Sequence, residues 1–246
     1  LNLEGVNMNN NPICFFDSGI GGATILKEVI KLLPYENYVY YADSINNPYG
    51  NKTKKALFEI VSNAVDNLLK YNPKLIVCAC NTATAMVLND IRKKYKDIIF
   101  VGTEPAVKVV HDKYQDKKTI VITTKGTGES KRFKKLFNNY KTTNCTLIEA
   151  PLLAGLIENN KDPYPYLKEL LKGYKNIDIV VLGCTHFPLA KNAIKKVLGK
   201  VTFIDGSIGI ANRIKNLLKD NLNLNGGDIK IISTKDDVSK TILKII

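Results

Sequence analysis

Two cysteines of this chain stand at matching places. Cys80 lies in KLIVCACNTAT (residues 74–84) and Cys184 in DIVVLGCTHFP (178–188). In both, an apolar β-branched run ends in a thiol followed by polar residues that can open a helix. A thiol so placed can act as an acid or base, a nucleophile or a metal ligand. Free backbone amides and the helix dipole favour a thiolate, so depressed pKa values are expected for both. Free cysteine is often merely a small buried apolar residue. That reading suffices for one thiol, and it is weaker for two at corresponding strand ends.

A third cluster, Asp17, Ser18, Gly19, Ile20, Gly21 and Gly22, forms a glycine-rich turn after an apolar run. A dinucleotide-binding turn is the obvious competitor, but Thr24 stands where its third glycine or alanine belongs. Presentation of Asp17 and Ser18 to a small polar ligand fits better, with a purely structural turn as the plain alternative. Cys78, Cys80, Cys184 and His186 could in principle hold zinc, yet each pair is separated by a single residue, closer than zinc sites usually allow. No metal is expected. A Cys–His hydrolase could be built from Cys80 or Cys184 with His186, but it leaves one thiol without work. His111 lies in a charged helical stretch and reads as a surface residue.

The elements that must position these residues alternate along the chain. Strands are expected at 13–16, 37–41, 74–78, 97–102, 119–123, 146–149, 177–182 and 201–204. Helices are expected at 22–33, 53–71 and 82–94, just after Pro105, and at 129–140, 151–159, 164–173 and 188–198, followed by a last helix, strand and helix. This order predicts an α/β fold of parallel sheets covered by helices, with ligands beyond the carboxyl ends of the strands.

The 246 residues, 45% of them hydrophobic, suffice for one large domain or two small ones. Five cysteines at irregular spacing argue for reduced thiols rather than a disulfide framework. The net charge of +13 comes from lysines scattered along the whole chain, without a nucleic-acid-binding motif, so a solvated basic surface is expected and no nucleic-acid partner. No apolar run is long enough to span a membrane, and LNLEGVNMNN lacks the pattern of a secretory signal. The cytoplasm is the expected location. A first residue other than Met suggests a missing native start.

DSGIGG (17–22), YADSINNPYG (41–50), CNTAT (80–84) and GCTHFP (183–188) together resemble the signature blocks of bacterial glutamate racemase, in the same order. VGTEPA (101–106), APLLAGLIE (150–158) and IDGSIGIA (204–211) add to a resemblance running from about residue 13 to about 213. Departures fall at Gly155, where proline is usual, at the inverted Gly206 and Ser207, and at the partial match of residues 124–130.

The resemblance implies that Cys80 and Cys184 are the catalytic pair, with Asp17, Glu158 and His186 tuning them. It implies substrate binding by Asp17, Ser18, Tyr49, Gly50, Asn81, Thr82, Thr127, Thr185 and His186. It further implies two similar α/β domains, residues 1–104 with 205–246 and residues 105–204, with the site between them. The implied reaction interconverts L- and D-glutamate without a cofactor and supplies D-glutamate for peptidoglycan. Two thiols suit such a reaction, because one can remove the α proton while the other delivers one to the opposite face, and an ordinary thiol pKa of about 8.5 lies near neutrality. Asp17 would serve Cys80, which acts on D-glutamate, and His186 would serve Cys184, which acts on the L form. Racemases for aspartate or another amino acid, a thiol hydrolase and a basic binding module remain alternatives, and a homodimer is left open.

Overall fold

A computed structural model of the chain describes residues 10–236 and 238–246. Most of LNLEGVNMNN, including the first nine residues of the expected first domain, lies outside the described residues. The chain runs β1 (Ile13–Asp17), α1 (Ala23–Leu32), β2 (Tyr38–Ala42), α2 (Lys54–Leu69), β3 (Leu75–Cys78), α3 (Asn81–Met86), α4 (Leu88–Lys94) and β4 (Phe100–Gly102). It continues with α5 (Val107–Lys113), β5 (Thr119–Thr123), α6 (Lys125–Glu129), α7 (Lys131–Tyr140), β6 (Cys145–Glu149), α8 (Leu153–Glu158), α9 (Tyr164–Leu170) and β7 (Ile179–Gly183). It closes with α10 (Lys191–Leu198), β8 (Thr202–Ile204), α11 (Ser207–Leu218), β9 (Ile229–Ser233) and α12 (Val238–Ile245).

Two parallel sheets result, one ordered β4-β3-β1-β2-β9 and the other β6-β5-β7-β8. The α/β fold of parallel sheets expected from the alternating pattern forms, in the two units that the resemblance implies. Strand alternation sorts each sheet's side chains onto two covered faces. Ile13, Phe15 and Val77 pack with Leu26 and Val29 of α1 and Ile214 of α11, whereas Cys14, Phe16 and Ile76 pack with Leu57 and Val61 of α2 and Leu88 of α4. In the second sheet Ile120, Ile122 and Val180 meet Leu167 and Ile194, and Val121 and Val181 meet Val110 and Phe133. All strands of a sheet run one way, so each sheet gathers its carboxyl ends along one edge.

Two expected helices are interrupted. The helix over 82–94 divides at Val87, whose φ of −129° leaves the helical range. Val87 and Leu88 are both buried, and consecutive positions on a straight helix point about 100° apart. The expected helix over 129–140 begins at Lys131, because Ser130 is extended and its hydroxyl caps the Phe133 N–H. Thr124 caps the separate α6 in the same way.

The first sheet is pinned at its other end by a buried ion pair. Lys74 Nζ lies 2.8 Å from Glu36 Oε2, and both side chains are 1% exposed. Lys74 also donates to the Asn221 carbonyl, while Glu36 accepts from the Asn223 N–H, which ties the segment before β9 to the loop after α1. Replacing Lys74 with Met leaves Glu36 buried without its cation, and we expect about 3–5 kcal/mol of lost stability in denaturant melts. Loss of less than about 1 kcal/mol would show that the pair is dispensable.

Candidate active site

The carboxyl ends of β1, β2 and β3 meet those of β5 and β7, and the chemically capable side chains collect there. Asp17, the last residue of β1, is fully buried. Its Oδ2 accepts the Gly22 N–H at 2.9 Å and the Gly19 N–H at 3.3 Å, and its Oδ1 accepts the Thr185 hydroxyl at 3.3 Å. Burial pushes the Asp17 carboxyl up to about 6, although neighbouring His186 and the Gly22 N–H pull the other way. The turn that follows needs glycine for clearance. A methyl group at Gly21 would lie 2.3 Å from His186 Nδ1 and 2.7 Å from the His186 backbone nitrogen, so only hydrogen lets the second unit close onto it.

Cys80 follows β3 in extended geometry and forms the cap of α3. It is 5% exposed. Burial, followed by the charge on Asp17, raises its thiol well above the ordinary value, and a charge on Cys184 acts in the same sense. This corrects the expectation of a depressed pKa at Cys80. The Ala83 N–H does favour the thiolate, but one amide of a six-residue helix is outweighed by loss of solvent and by a carboxylate neighbour.

Cys184 follows β7 and is 7% exposed. Its Sγ lies 3.9 Å from His186 Nδ1, and His186 Nε2 lies 2.7 Å from Glu158 Oε2. Burial alone would lower the His186 pKa, yet the bonds to Cys184 and Glu158 prevail and hold it well above the ordinary imidazole value. Burial would likewise raise Glu158, but His186, the Ile20 N–H and the Ser44 hydroxyl hold its carboxyl below the usual range. The pair is therefore an imidazolium on a carboxylate at neutral pH. α8 delivers Glu158 even though Gly155 stands within it.

The other sequence-derived residues surround this group. Ser18 accepts from Asn47 Nδ2 on both its carbonyl and its hydroxyl, and Asn81 Nδ2 reaches the Thr103 carbonyl at 3.4 Å. Thr82 lies 2.9 Å from Thr124 and 3.4 Å from Thr127, measured between hydroxyl oxygens, which joins α3 of one unit to α6 of the other. Tyr49 is buried with its hydroxyl on Asp43 at 2.7 Å. Gly50 lies against α6, where a methyl group at Gly126 would come within 3.0 Å of the Gly50 carbonyl and 3.1 Å of Thr82 Cγ2. Gly50 and Gly126 also line a groove of about 500 Å³, together with Asn51, Met86, Lys125 and Ser130 among others. His111 stays away from the site, beside Asp112 and Tyr140.

Sequence reasoning passed over Ser44, Thr103 and Thr124. Ser44 and Thr124 stand just past the carboxyl ends of β2 and β5, so a search for polar residues at every strand end would have found them. Among the described residues, no group of three or more His, Cys, Asp or Glu side chains is arranged to hold a metal ion. No helix among them is long and apolar enough to cross a membrane.

Comparison with known proteins gives this arrangement relatives. Residues 35–212 match the family model described as Asp/Glu/Hydantoin racemase. A glutamate racemase of Clostridium botulinum is 43% identical, over 90% of this chain and 89% of that protein. One from Clostridium acetobutylicum is 41% identical, over 94% and 95% of the two chains. Among solved structures, Escherichia coli glutamate racemase in complex with L-glutamate superposes with a TM-score of 0.82 at 27% identity, covering 96% of this chain and 94% of that one. The Francisella tularensis glutamate racemase in complex with D-glutamate gives a TM-score of 0.80, also at 27% identity, with the same coverage. With two parallel sheets, paired strand-end thiols and relatives above 40% identity along most of its length, the chain belongs to the aspartate/glutamate/hydantoin racemase family.

Proposed function

We propose that this chain interconverts L- and D-glutamate by transferring protons between the substrate α carbon and Cys80 on one face and Cys184 on the other. In the L-to-D direction Cys184, as thiolate, takes the α proton and the Cys80 thiol gives its own to the opposite face, leaving Cys184 protonated and Cys80 ionised. The reverse direction exchanges these roles. The raised pKa of Cys80 suits it to act as the acid in the first direction, and Asp17 then accepts or returns the proton that resets it. The His186 imidazolium, its orientation fixed by Glu158, stands where its Nδ1–H can donate to the Cys184 sulfur and return a proton to it after Cys184 has acted as the acid in the reverse direction. Backbone amides and the side chains of Ser18, Asn81, Thr82, Thr127 and Thr185 supply donors for the two substrate carboxylates, and the closed junction excludes water.

The observation that supports this reading is that two buried thiols follow β3 and β7, Cys184 beside His186 and Cys80 within electrostatic reach of Asp17 and Cys184. Its division into domains at residues 1–104 with 205–246 and 105–204 is supported by β1–β4 and β9 sharing one sheet and β5–β8 the other. A cytoplasmic setting fits free thiols, and a role in supplying D-glutamate for peptidoglycan fits the glutamate racemase relatives. The test is polarimetry on L- and D-glutamate and on both aspartate enantiomers, with enzyme dialysed against chelator and no cofactor added. Racemisation of glutamate far above aspartate is expected. Activity confined to aspartate, or hydrolysis of a thioester-forming substrate with a burst, would replace the reading.

A further inference from the structure

Glu158 belongs to the second unit, yet two of its hydrogen bonds come from the first. Its Oε2 accepts the Ile20 N–H at 3.0 Å, and its Oε1 accepts the Ser44 hydroxyl at 2.8 Å. Ser44 is buried and opens the short turn after β2. That turn is itself held from behind, where Thr234, just past β9, accepts from the Ile45 N–H and donates to the Ala42 carbonyl. Ser44 is thus a fixed donor aimed across the junction at a buried carboxylate.

We propose that Ser44 is a positioning residue for the Cys184 half of the reaction, its hydroxyl holding Glu158 across the junction so that His186 is aimed at Cys184 only when the two units are together. This inference rests on the two-thiol reading. A buried carboxylate stays ionised only while donors replace its lost water. With the units together, Glu158 has three, from His186, Ile20 and Ser44; when they part, the last two withdraw together. Closure then completes the proton relay as well as the substrate pocket, so an open, wet site does not hold an armed base.

The charged and titratable groups facing Glu158 are His186 from its own unit and Asp17 and Tyr40 from the first, with Cys184 beyond His186. None of these changes when Ser44 is replaced. Removing the hydroxyl weakens the carboxylate form alone, so Glu158 takes up its proton at higher pH, and the acidic limb of the rate profile gains this second ionisation below the one that Asp17 sets near pH 6.

The experiment compares Ser44→Ala with Ser44→Thr, which keeps a hydroxyl. In S44A we expect kcat to fall about 10- to 100-fold and the acidic limb of kcat/KM to become steeper below about pH 6, with S44T reversing most of both changes. We also expect the isotope effect with α-deuterated L-glutamate to rise while that with the D enantiomer does not, because only the step at Cys184 is slowed. A structural role would slow both enantiomers without that asymmetry. Should S44A fail to fold by circular dichroism, Ser44→Cys, of similar shape but a weak donor, replaces it. An unchanged acidic limb and symmetric isotope effects in the folded variant overturn the proposal. Full racemisation by Cys184→Ala would instead remove the two-thiol reading, an outcome separate from any result at Ser44.

Discussion

Replacing either Cys80 or Cys184 with Ala is expected to lower racemisation by about 10⁴-fold while leaving the melting temperature within a few degrees of the parent. In the proposed scheme each thiol serves one face of the α carbon, so neither can stand in for the other. Both side chains are small and both strand ends are held by backbone pairing, which is why the fold should survive. Deuterated water sharpens the expectation. The parent enzyme should place solvent deuterium in both enantiomers. The Cys184→Ala variant should exchange only D-glutamate, through Cys80, and Cys80→Ala only L-glutamate. Exchange of both enantiomers by one single variant would mean that one group reaches both faces, and the two-thiol scheme would fall.

Asp17→Asn should separate stability from activity. The Asp17 carboxyl has a pKa of about 6 in the folded chain, above the value of about 3.9 usual for an unfolded one. A raised folded pKa means that the protonated form is the better tolerated. This contribution to stability is complete below about pH 4 and is lost as pH rises through 6. Asn stays neutral throughout, so the variant should be more stable than the parent at pH 8, by at most about 3 kcal/mol, and should match it near pH 4. Activity should fall about 10²- to 10⁴-fold, because the group proposed to reset Cys80 is gone. Denaturant melts at the two pH values and a rate profile check both halves. A variant less stable than the parent at pH 8 would show that the bonds from Gly19, Gly22 and Thr185 require the charge.

The pairing of a strand with a thiol at its end was legible from the chain itself, because burial of a parallel strand demands an unbroken apolar run and the following polar residues mark where it stops. Residues 74–84 and 178–188 both carry that mark, and β3 and β7 form there. The reactivity of Cys80 was not legible. A motif indicates the helix start, but the weight of burial and of Asp17 depends on what the rest of the chain packs around the sulfur. Ser44 and Glu158 are separated by 114 positions, and Thr82 and Thr124 by 42. Such contacts come from the approach of two units, to which local spacing is blind. The division of the helix at Val87 was hidden for a related reason: the demand that Val87 and Leu88 both be buried comes from the sheet beneath them.

The pairing of β9 with β2 also bears on how the protein is made. The strand that completes the first sheet is drawn from residues 229–233, synthesised after every strand of the second sheet. A growing chain on the ribosome therefore holds Tyr38–Ala42 as a bare edge while the second sheet already has all its strands. The turn carrying Ser44 gains its support from Thr234 at the same late moment. Biosynthesis thus leaves the reactive centre unfinished until residues 229–234 have emerged, and the β2 edge open to any passing strand until then.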